Sequence, residues 1–85
     1  MKRTITYKTQ GTCSRAIEIE LDGNTVENVK FLGGCDGNTH GIASLVAGMD
    51  ANEVIKRLEG IKCGFKKTSC PDQLACALRQ ELSQN

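Results

Sequence analysis

The sequence is poor in aromatic residues, has no excess of one charge and contains no long apolar run. Its aromatic residues are Tyr7, Phe31 and Phe65, and eleven Lys and Arg against ten Asp and Glu give a formal net charge of +1. Proteins that bind nucleic acid usually have a strongly basic surface and aromatic platforms for base stacking, so we expect no nucleic-acid partner. No apolar segment approaches the ~20 residues of a transmembrane helix, so we expect no membrane partner either.

The amino-terminal residues also lack the apolar stretch of a signal peptide. Residues 1–7, MKRTITY, alternate between polar and apolar side chains in the manner of a β-strand. We therefore expect a cytoplasmic protein. In that compartment cysteine thiols stay reduced, so structural disulfides are not expected.

The small size limits both the core and the chemistry. We assign residues 1–85 to a single domain, because 85 residues of 39% apolar composition have room for one. A chain of this size buries only ~60% of its unfolded surface, and a cross-link or a bound metal often supplements so small a core. The sequence has no Ser/His/Asp or paired-carboxylate pattern that indicates hydrolysis, and no complete catalytic machinery.

The first half of the sequence predicts strands. Three segments alternate between apolar and polar residues, with the inward positions Ile5 and Tyr7, then Ile17, Ile19 and Leu21, then Val29 and Phe31. Asp22-Gly23-Asn24 is a hairpin signal between the second and third segments. Val26 is out of phase with the third segment, which predicts a bulge or a late strand start. The pattern predicts a three-stranded antiparallel meander.

The second half has the apolar periodicity of about three helices. We expect Thr39 and Asp50 to cap the first two, Gly60 to end the second, and Pro71 to lie in the first turn of the third. Their apolar stripes are Ile42, Leu45, Val46 and Met49, then Val54, Ile55 and Leu58, then Leu74, Leu78 and Leu82. Strands followed by helices predict the α+β class.

Five cysteines are the strongest chemical signal. Their odd number, without a secretion signal, argues against a disulfide framework and favours four metal ligands plus one spare, or thiol chemistry. Cys13, Cys35 and Cys70 fall at junctions between predicted elements, and Cys63 lies six residues before Cys70. Cys70 also begins a helix, where the dipole and the free N–H groups favour a thiolate. We predict these four as the ligand set.

The fifth cysteine, Cys76, lies about 200° around its helix from Leu74, so we interpret it as a surface thiol. The sequence has no CxxC pair, and the spacing of the other four is therefore not diagnostic of zinc. Buried, inert cysteines and redox-active thiols are the alternatives that the sequence leaves open.

Three motifs in a fixed order resemble the TSCPD domain family. They are residues 33–38 (GGCDGN), 61–64 (IKCG) and 68–74 (TSCPDQL), and the resemblance covers essentially the whole chain. Members of that family occur alone and as the C-terminal domain of adenosylcobalamin-dependent ribonucleotide reductases. The resemblance implies metal binding by the four cysteines of that family, which correspond to Cys13, Cys35, Cys63 and Cys70.

The same resemblance implies a function and a partner. It implies a small metal-binding domain, with Zn²⁺ before an iron–sulfur cluster, in an accessory or regulatory role for ribonucleotide reduction and the deoxynucleotide supply of DNA synthesis. The implied partner is a ribonucleotide reductase or another protein. The reductase itself needs a large barrel, a cobalamin site and a radical cysteine, so we expect no reduction by these 85 residues alone.

The order of elements is also similar to that of iron–sulfur scaffold proteins of the IscU/NifU type. The shared order is a cysteine in a loop, a hairpin, Phe-x-x-Gly-Cys and a final cysteine that begins a helix. This likeness implies a scaffold-like fold with Cys13, Cys35 and Cys70 as ligands, and Cys63 in place of the scaffold's fourth ligand. The alternative function is therefore a thiol redox protein or an iron–sulfur carrier or scaffold.

Two further features have competing interpretations. The glycine-rich turn before the first helix suits a phosphate or nucleotide site, or close backbone packing around Cys35, which we favour. The residues of this turn are Gly33, Gly34, Gly37 and Asn38. His40 lies off the apolar stripe of its helix, so we expect a solvated side chain rather than a ligand.

A small basic cluster lies beside Cys63. It consists of Lys62, Lys66 and Lys67. We expect a solvated loop, with stabilisation of a nearby thiolate and docking of an acidic partner or nucleotide as the alternatives.

Overall fold

The computed structural model describes residues 2–11, 14–33, 36–62 and 68–83. Within these ranges three strands precede three helices: β1 Lys2–Lys8, β2 Ser14–Asp22, β3 Thr25–Gly33, α1 Asp36–Val46, α2 Ala51–Leu58 and α3 Cys70–Ser83. The strands form an antiparallel sheet in the order β1-β2-β3. The predicted α+β class, with a meander followed by three helices, is confirmed.

A two-residue turn joins β2 to β3. Asp22 pairs with Thr25 across it, and Gly23 has φ of 62°. Asn24 does not have a positive φ. A positive φ at the first central residue alone is the pattern of a type II′ turn, whose twist suits the two strands of a hairpin.

The pairing of β2 with β3 is irregular at two places. Leu21 pairs with Val26 while Glu20 pairs with Asn28, so Glu27 is the extra residue of a bulge. This bulge turns Val26 inward and confirms the irregularity predicted from its phase. A second shift lies at the other end of β2, where Arg15 is the extra residue between Ser14 and Ala16.

The hydrophobic core lies between one face of the sheet and the helices. It is formed by Ile17, Ile19, Leu21, Val26, Val29, Val46, Ala51, Val54, Ile55, Leu74, Ala77 and Leu78. The inward residues of β2 and the leucines of α3 therefore have the orientation that the sequence predicts. Ile5, Tyr7 and Phe31 are partly buried against this core.

The first helix differs from the prediction in its start and in its buried face. It begins at Asp36, so Thr39 is a buried residue inside α1 rather than its cap. Leu45, predicted in the apolar stripe, is 76% exposed, whereas Val46 is buried. The buried face runs through Thr39, Ile42 and Val46, and Leu45 lies about 100° away from it around the helix.

The second helix begins and ends as predicted. The Asp50 carboxylate accepts a hydrogen bond from the Glu53 N–H at 3.3 Å, as an N-cap does. In a full capping box the Glu53 carboxylate would accept the backbone N–H of Asp50. Here the Glu53 carboxylate pairs instead with Arg57, one turn further along the helix, at 3.0 Å. Gly60 follows the C-terminal end with φ of 87°.

The third helix is joined to β1 at both ends. Arg3 on β1 pairs with Glu81 near the C-terminal end of α3 at 2.9 Å. Gln10, just after β1, donates its N–H to the Gln73 side chain in the first turn of α3 at 3.0 Å. Among the described residues, no helix combines the length and the apolar character that crossing a membrane requires.

Truncation of a buried leucine tests this packing against a matched exposed one. Leu78→Ala removes side-chain volume from the core, so we expect the free energy of unfolding to fall by about 2–5 kcal/mol in urea denaturation. Leu45→Ala makes the same chemical change on the exposed face of α1 and is expected within about 0.5 kcal/mol of the unmodified protein. Equal losses in the two variants would contradict the placement of Leu45.

Candidate metal centre at the start of α3

Ser69 caps the N-terminal end of α3. Its carbonyl accepts the first helical hydrogen bond, from the Gln73 N–H at 2.8 Å, and its Oγ accepts the Asp72 N–H at 3.2 Å. The same hydroxyl donates to the Ile61 carbonyl at 2.6 Å. One buried side chain therefore satisfies an N–H group of the helix and attaches α3 to the segment that follows α2.

The Asp72 carboxylate makes a second link to that segment. One oxygen accepts the Gly60 N–H at 2.7 Å and the other accepts the Thr68 hydroxyl. An acidic residue in the first helical turn also interacts favourably with the helix dipole. The Asp72 side chain thereby links the start of α3 to the main chain just after α2 and to the side chain of Thr68.

Gln73 connects the start of α3 to the turn after β1. Its amide nitrogen donates to Thr68 Oγ1 at 3.1 Å, and its amide oxygen accepts the Gln10 N–H at 3.0 Å. Gly11 lies beside Thr68 at this contact. Its φ is 75°, and a Cβ at this position would lie 3.1 Å from the Thr68 methyl carbon. A larger residue at this position would be strained and would push Thr68 away.

Cys70 is held inside this framework. Its side chain is buried, at 6% exposure, on the core side that the helical spacing predicts. The Cys70 sulfur lies 3.3 Å from Ser14 Oγ at the start of β2. Ser14 is itself only 4% exposed.

The bulge at Arg15 explains the orientation of Ser14. Strict alternation would put Ser14 on the solvated face of the sheet with Glu18, but the extra residue reverses the phase, so that Arg15 is exposed and Ser14 is buried. The Ser14 carbonyl accepts the Thr9 hydroxyl at 2.6 Å, which fixes this end of the strand.

Cys13, Cys35 and Cys63 lie outside the described residues. On at least one side of each cysteine, residues within two positions are described, and Ser14, Gly33 and Ile61 among them are linked directly or in turn to the start of α3. Ser14 follows Cys13, contacts the Cys70 sulfur and pairs with Gly33, two residues before Cys35. Two residues before Cys63, Ile61 accepts a hydrogen bond from the cap of α3.

The described part of the chain contains no group of three or more His, Cys, Asp or Glu side chains arranged to hold a metal ion. Cys70 is the one predicted ligand within it. His40 is exposed on α1, as expected for a solvated side chain. In the basic cluster, Lys62 is exposed, and Lys66 and Lys67 lie outside the described residues.

The glycine-rich turn is described only in part. Gly33 ends β3 with φ of 85°, a conformation that favours glycine. Gly37 and Asn38 belong to the backbone of the first turn of α1, and Gly34 lies outside the described residues. A phosphate or nucleotide site at this turn stays a prediction.

Cys76 is half-buried, which corrects its interpretation as a surface thiol. The reason is that α3 is buried over more than its leucine stripe, since Ala75 and Ala77 on either side of Cys76 are buried too. Burial, followed by the negative charges of Asp72 and Glu59, raises the pKa of the Cys76 thiol, although Arg79 opposes the shift. Burial and the neighbouring Cys76 and Asp72 likewise raise the pKa of Tyr7.

A comparison with protein-family models matches the TSCPD domain over residues 1–82. The chain belongs to the TSCPD domain family. No curated protein and no solved structure gives a significant match. In this TSCPD domain the five residues of the family name are residues 68–72, which carry the helix cap, the buried thiol and the carboxylate described above.

Sequence reasoning overlooked several polar residues of this TSCPD domain. A serine followed three residues later by an acidic residue is a helix-start signal, and Ser69 and Asp72 have that spacing. Thr68 and Gln73 are adjacent to this signal. Gln10 and Ser14 have no comparable signal, because their contacts to α3 join residues 63 and 56 positions apart in the chain.

Replacement of the capping serine tests the local network. Ser69→Ala removes the acceptor for the Asp72 N–H and the donor to the Ile61 carbonyl. We therefore expect the free energy of unfolding to fall by about 1–2 kcal/mol. Ser44→Ala on the exposed side of α1 is the matched control, with an expected change within about 0.5 kcal/mol. A loss no larger than that of the control would rule out the capping role.

The raised pKa of Cys76 predicts sensitivity to alkaline pH. The folded state holds the thiol proton more tightly than the unfolded state, so its contribution to stability is present below the ordinary pKa of 9.0 and is lost as pH rises through the folded value. We expect the free energy of unfolding, measured in reducing buffer, to decline above about pH 9. Cys76→Ser should decline less steeply. Parallel curves for the two proteins would contradict this assignment.

Proposed function

We propose that the chain is a small metal-binding domain whose ligands are Cys13, Cys35, Cys63 and Cys70. Zn²⁺ is the proposed metal, and an iron–sulfur cluster is the alternative. In this proposal the metal joins the end of the sheet to the helices and has a structural role. Such a cross-link suits a domain whose core is limited by its 85 residues.

The observation that carries the proposal is the buried and oriented thiol of Cys70. It begins a helix, faces the interior and lies within 3.3 Å of the strand end that follows Cys13. The same strand end pairs with Gly33, close in sequence to Cys35. Ile61, which precedes Cys63 by two residues, is hydrogen-bonded to the cap of α3. Four chain segments, one that carries a proposed ligand and three that flank the others, thus meet at one end of the fold.

The chemistry of these side chains fits a thiophilic metal. Four thiolates are a usual ligand set for structural zinc, and they also bind iron–sulfur clusters. The dipole of a 14-residue helix that begins at Cys70 favours negative charge on the sulfur. When bound, the metal would supply a cross-link whose binding free energy is also folding free energy.

We further propose an accessory or regulatory role in ribonucleotide reduction, in the cytoplasm and with a reductase or another protein as partner. The support is the family membership, because TSCPD domains also occur at the C-terminus of adenosylcobalamin-dependent reductases. We expect no reductase activity from this chain by itself. A cysteine pair that passes electrons to a reductase is the competing interpretation of the same thiols.

Elemental analysis of anaerobically purified protein tests the metal proposal directly. We expect about one zinc ion per chain, as a closed four-ligand site holds. Cys70→Ser removes a proposed ligand and should abolish or strongly reduce the bound zinc. Cys76→Ser, the same change six residues along the same helix, should retain it.

Other results would have definite meanings. Iron together with sulfide, and visible absorbance, would favour the iron–sulfur alternative. Metal-free protein with five titratable thiols would overturn the proposal and favour the redox interpretation. A chelator that removes the metal without lowering the melting temperature would refute the structural role.

A further inference from the structure

The contact between the Ser14 and Cys70 side chains is not needed to hold the backbone of β2 or α3 in place. The backbone of Ser14 is already engaged, since it pairs with Gly33 and its carbonyl accepts the Thr9 hydroxyl. The Ser14 hydroxyl approaches the Cys70 sulfur to 3.3 Å, within hydrogen-bond distance for sulfur. Both side chains are buried, so water does not compete strongly for this contact.

The direction of this hydrogen bond follows from the state of the sulfur. Between a neutral thiol and a hydroxyl, either atom can donate. A sulfur bound to a metal is a thiolate and has no proton, so the Ser14 hydroxyl must then be the donor. A hydrogen bond to a charged acceptor is stronger than one between neutral groups.

We propose that Ser14 is a positioning residue for the metal centre: its hydroxyl donates a hydrogen bond to the Cys70 thiolate, which fixes the orientation of the sulfur towards a thiophilic divalent ion. This inference rests on the proposed function. It adds a residue that belongs to none of the three sequence motifs of the family resemblance. The bulge at Arg15 is the feature of the fold that makes the contact possible, because it turns Ser14 inward.

Removal of the donor has two expected consequences. Groups that hydrogen-bond to metal ligands commonly contribute about 10–100-fold to metal affinity, so the affinity should fall by about 10-fold or more without the Ser14 hydroxyl. The sulfur would also become richer in electron density, which moves the sulfur-to-metal charge-transfer absorption of a cobalt(II) complex to longer wavelength. A purely structural role of Ser14 would not move that absorption.

The experiment is an anaerobic titration of the metal-free, reduced full chain with Co²⁺, followed by absorption spectroscopy and competition with a chelator. Ser14→Ala removes the hydroxyl. Ser14→Thr and Ser14→Val form a matched pair, since both enlarge the side chain and only Thr keeps the hydroxyl. We expect weaker binding and a shifted band for Ala and Val, and wild-type behaviour for Thr.

Thr9→Val controls for general disturbance of the strand end. It removes the hydrogen bond to the Ser14 carbonyl but leaves the sulfur contact in place, so we expect lower stability with an unchanged cobalt band. Circular dichroism of each variant checks that the fold is retained.

The outcomes separate this inference from the proposed function. Identical affinities and spectra in wild type, Ser14→Ala and Ser14→Val would overturn the role of Ser14 while leaving the metal site intact. Equal weakening in Ser14→Thr and Ser14→Val would also overturn it, because the loss would then reflect packing. A wild-type chain that binds no Co²⁺ would overturn the proposed metal site itself, and the role of Ser14 with it.

Discussion

The polar anchoring of the start of α3 is the interaction on which the remainder of this structure depends. A helix that begins in a buried position needs partners for its first N–H groups, and Ser69 supplies one without a water molecule. Asp72 and Gln73 extend the anchor to the end of α2 and to the turn after β1. The same residues therefore determine the position of the helix in the core and the position of its first thiol.

This coupling of core and candidate site has a geometric basis. Cys70, Leu74 and Leu78 follow one another at four-residue intervals, so they share one face of α3. The leucines are fully buried against the sheet, and Cys70 continues their row to its end. Any displacement of α3 that relaxes the leucine packing also moves the sulfur. In this small domain the packing of the leucines therefore also fixes the position of the Cys70 thiol.

The two cysteines of α3, Cys70 and Cys76, have different surroundings. Cys70 lies at the helix start, and its buried sulfur is 3.3 Å from the Ser14 hydroxyl oxygen. Cys76 lies in the middle of the helix, half-buried near Tyr7 and the carboxylate of Asp72, which raises the pKa of its thiol. Burial and the acidic neighbours keep the Cys76 thiol protonated to a higher pH than an exposed cysteine.

The sequence alone determined the order of elements, the inward face of β2, the caps and stops around α2, and the leucine row of α3. These are local properties, since the two-residue and 3.6-residue periods and the capping preferences depend on neighbours along the chain. The break of phase at Val26 also predicted an irregularity, a bulge or a late strand start, and the structure shows the bulge. The four-cysteine ligand set and its metal stay predictions, because three of the four positions lie outside the described residues.

Only the tertiary structure decided which face of α1 is buried, how much of Cys76 is covered, and which polar groups surround Cys70. Leu45 is exposed because α1 packs on β3 through the face that contains Val46, and periodicity within α1 does not reveal which face that is. Ser14 reaches the sulfur because one extra residue in β2 reverses its phase, and its partner lies 56 positions away. The periodicity of a segment describes one helix or strand by itself, whereas these contacts form between helices and strands that are far apart in the sequence.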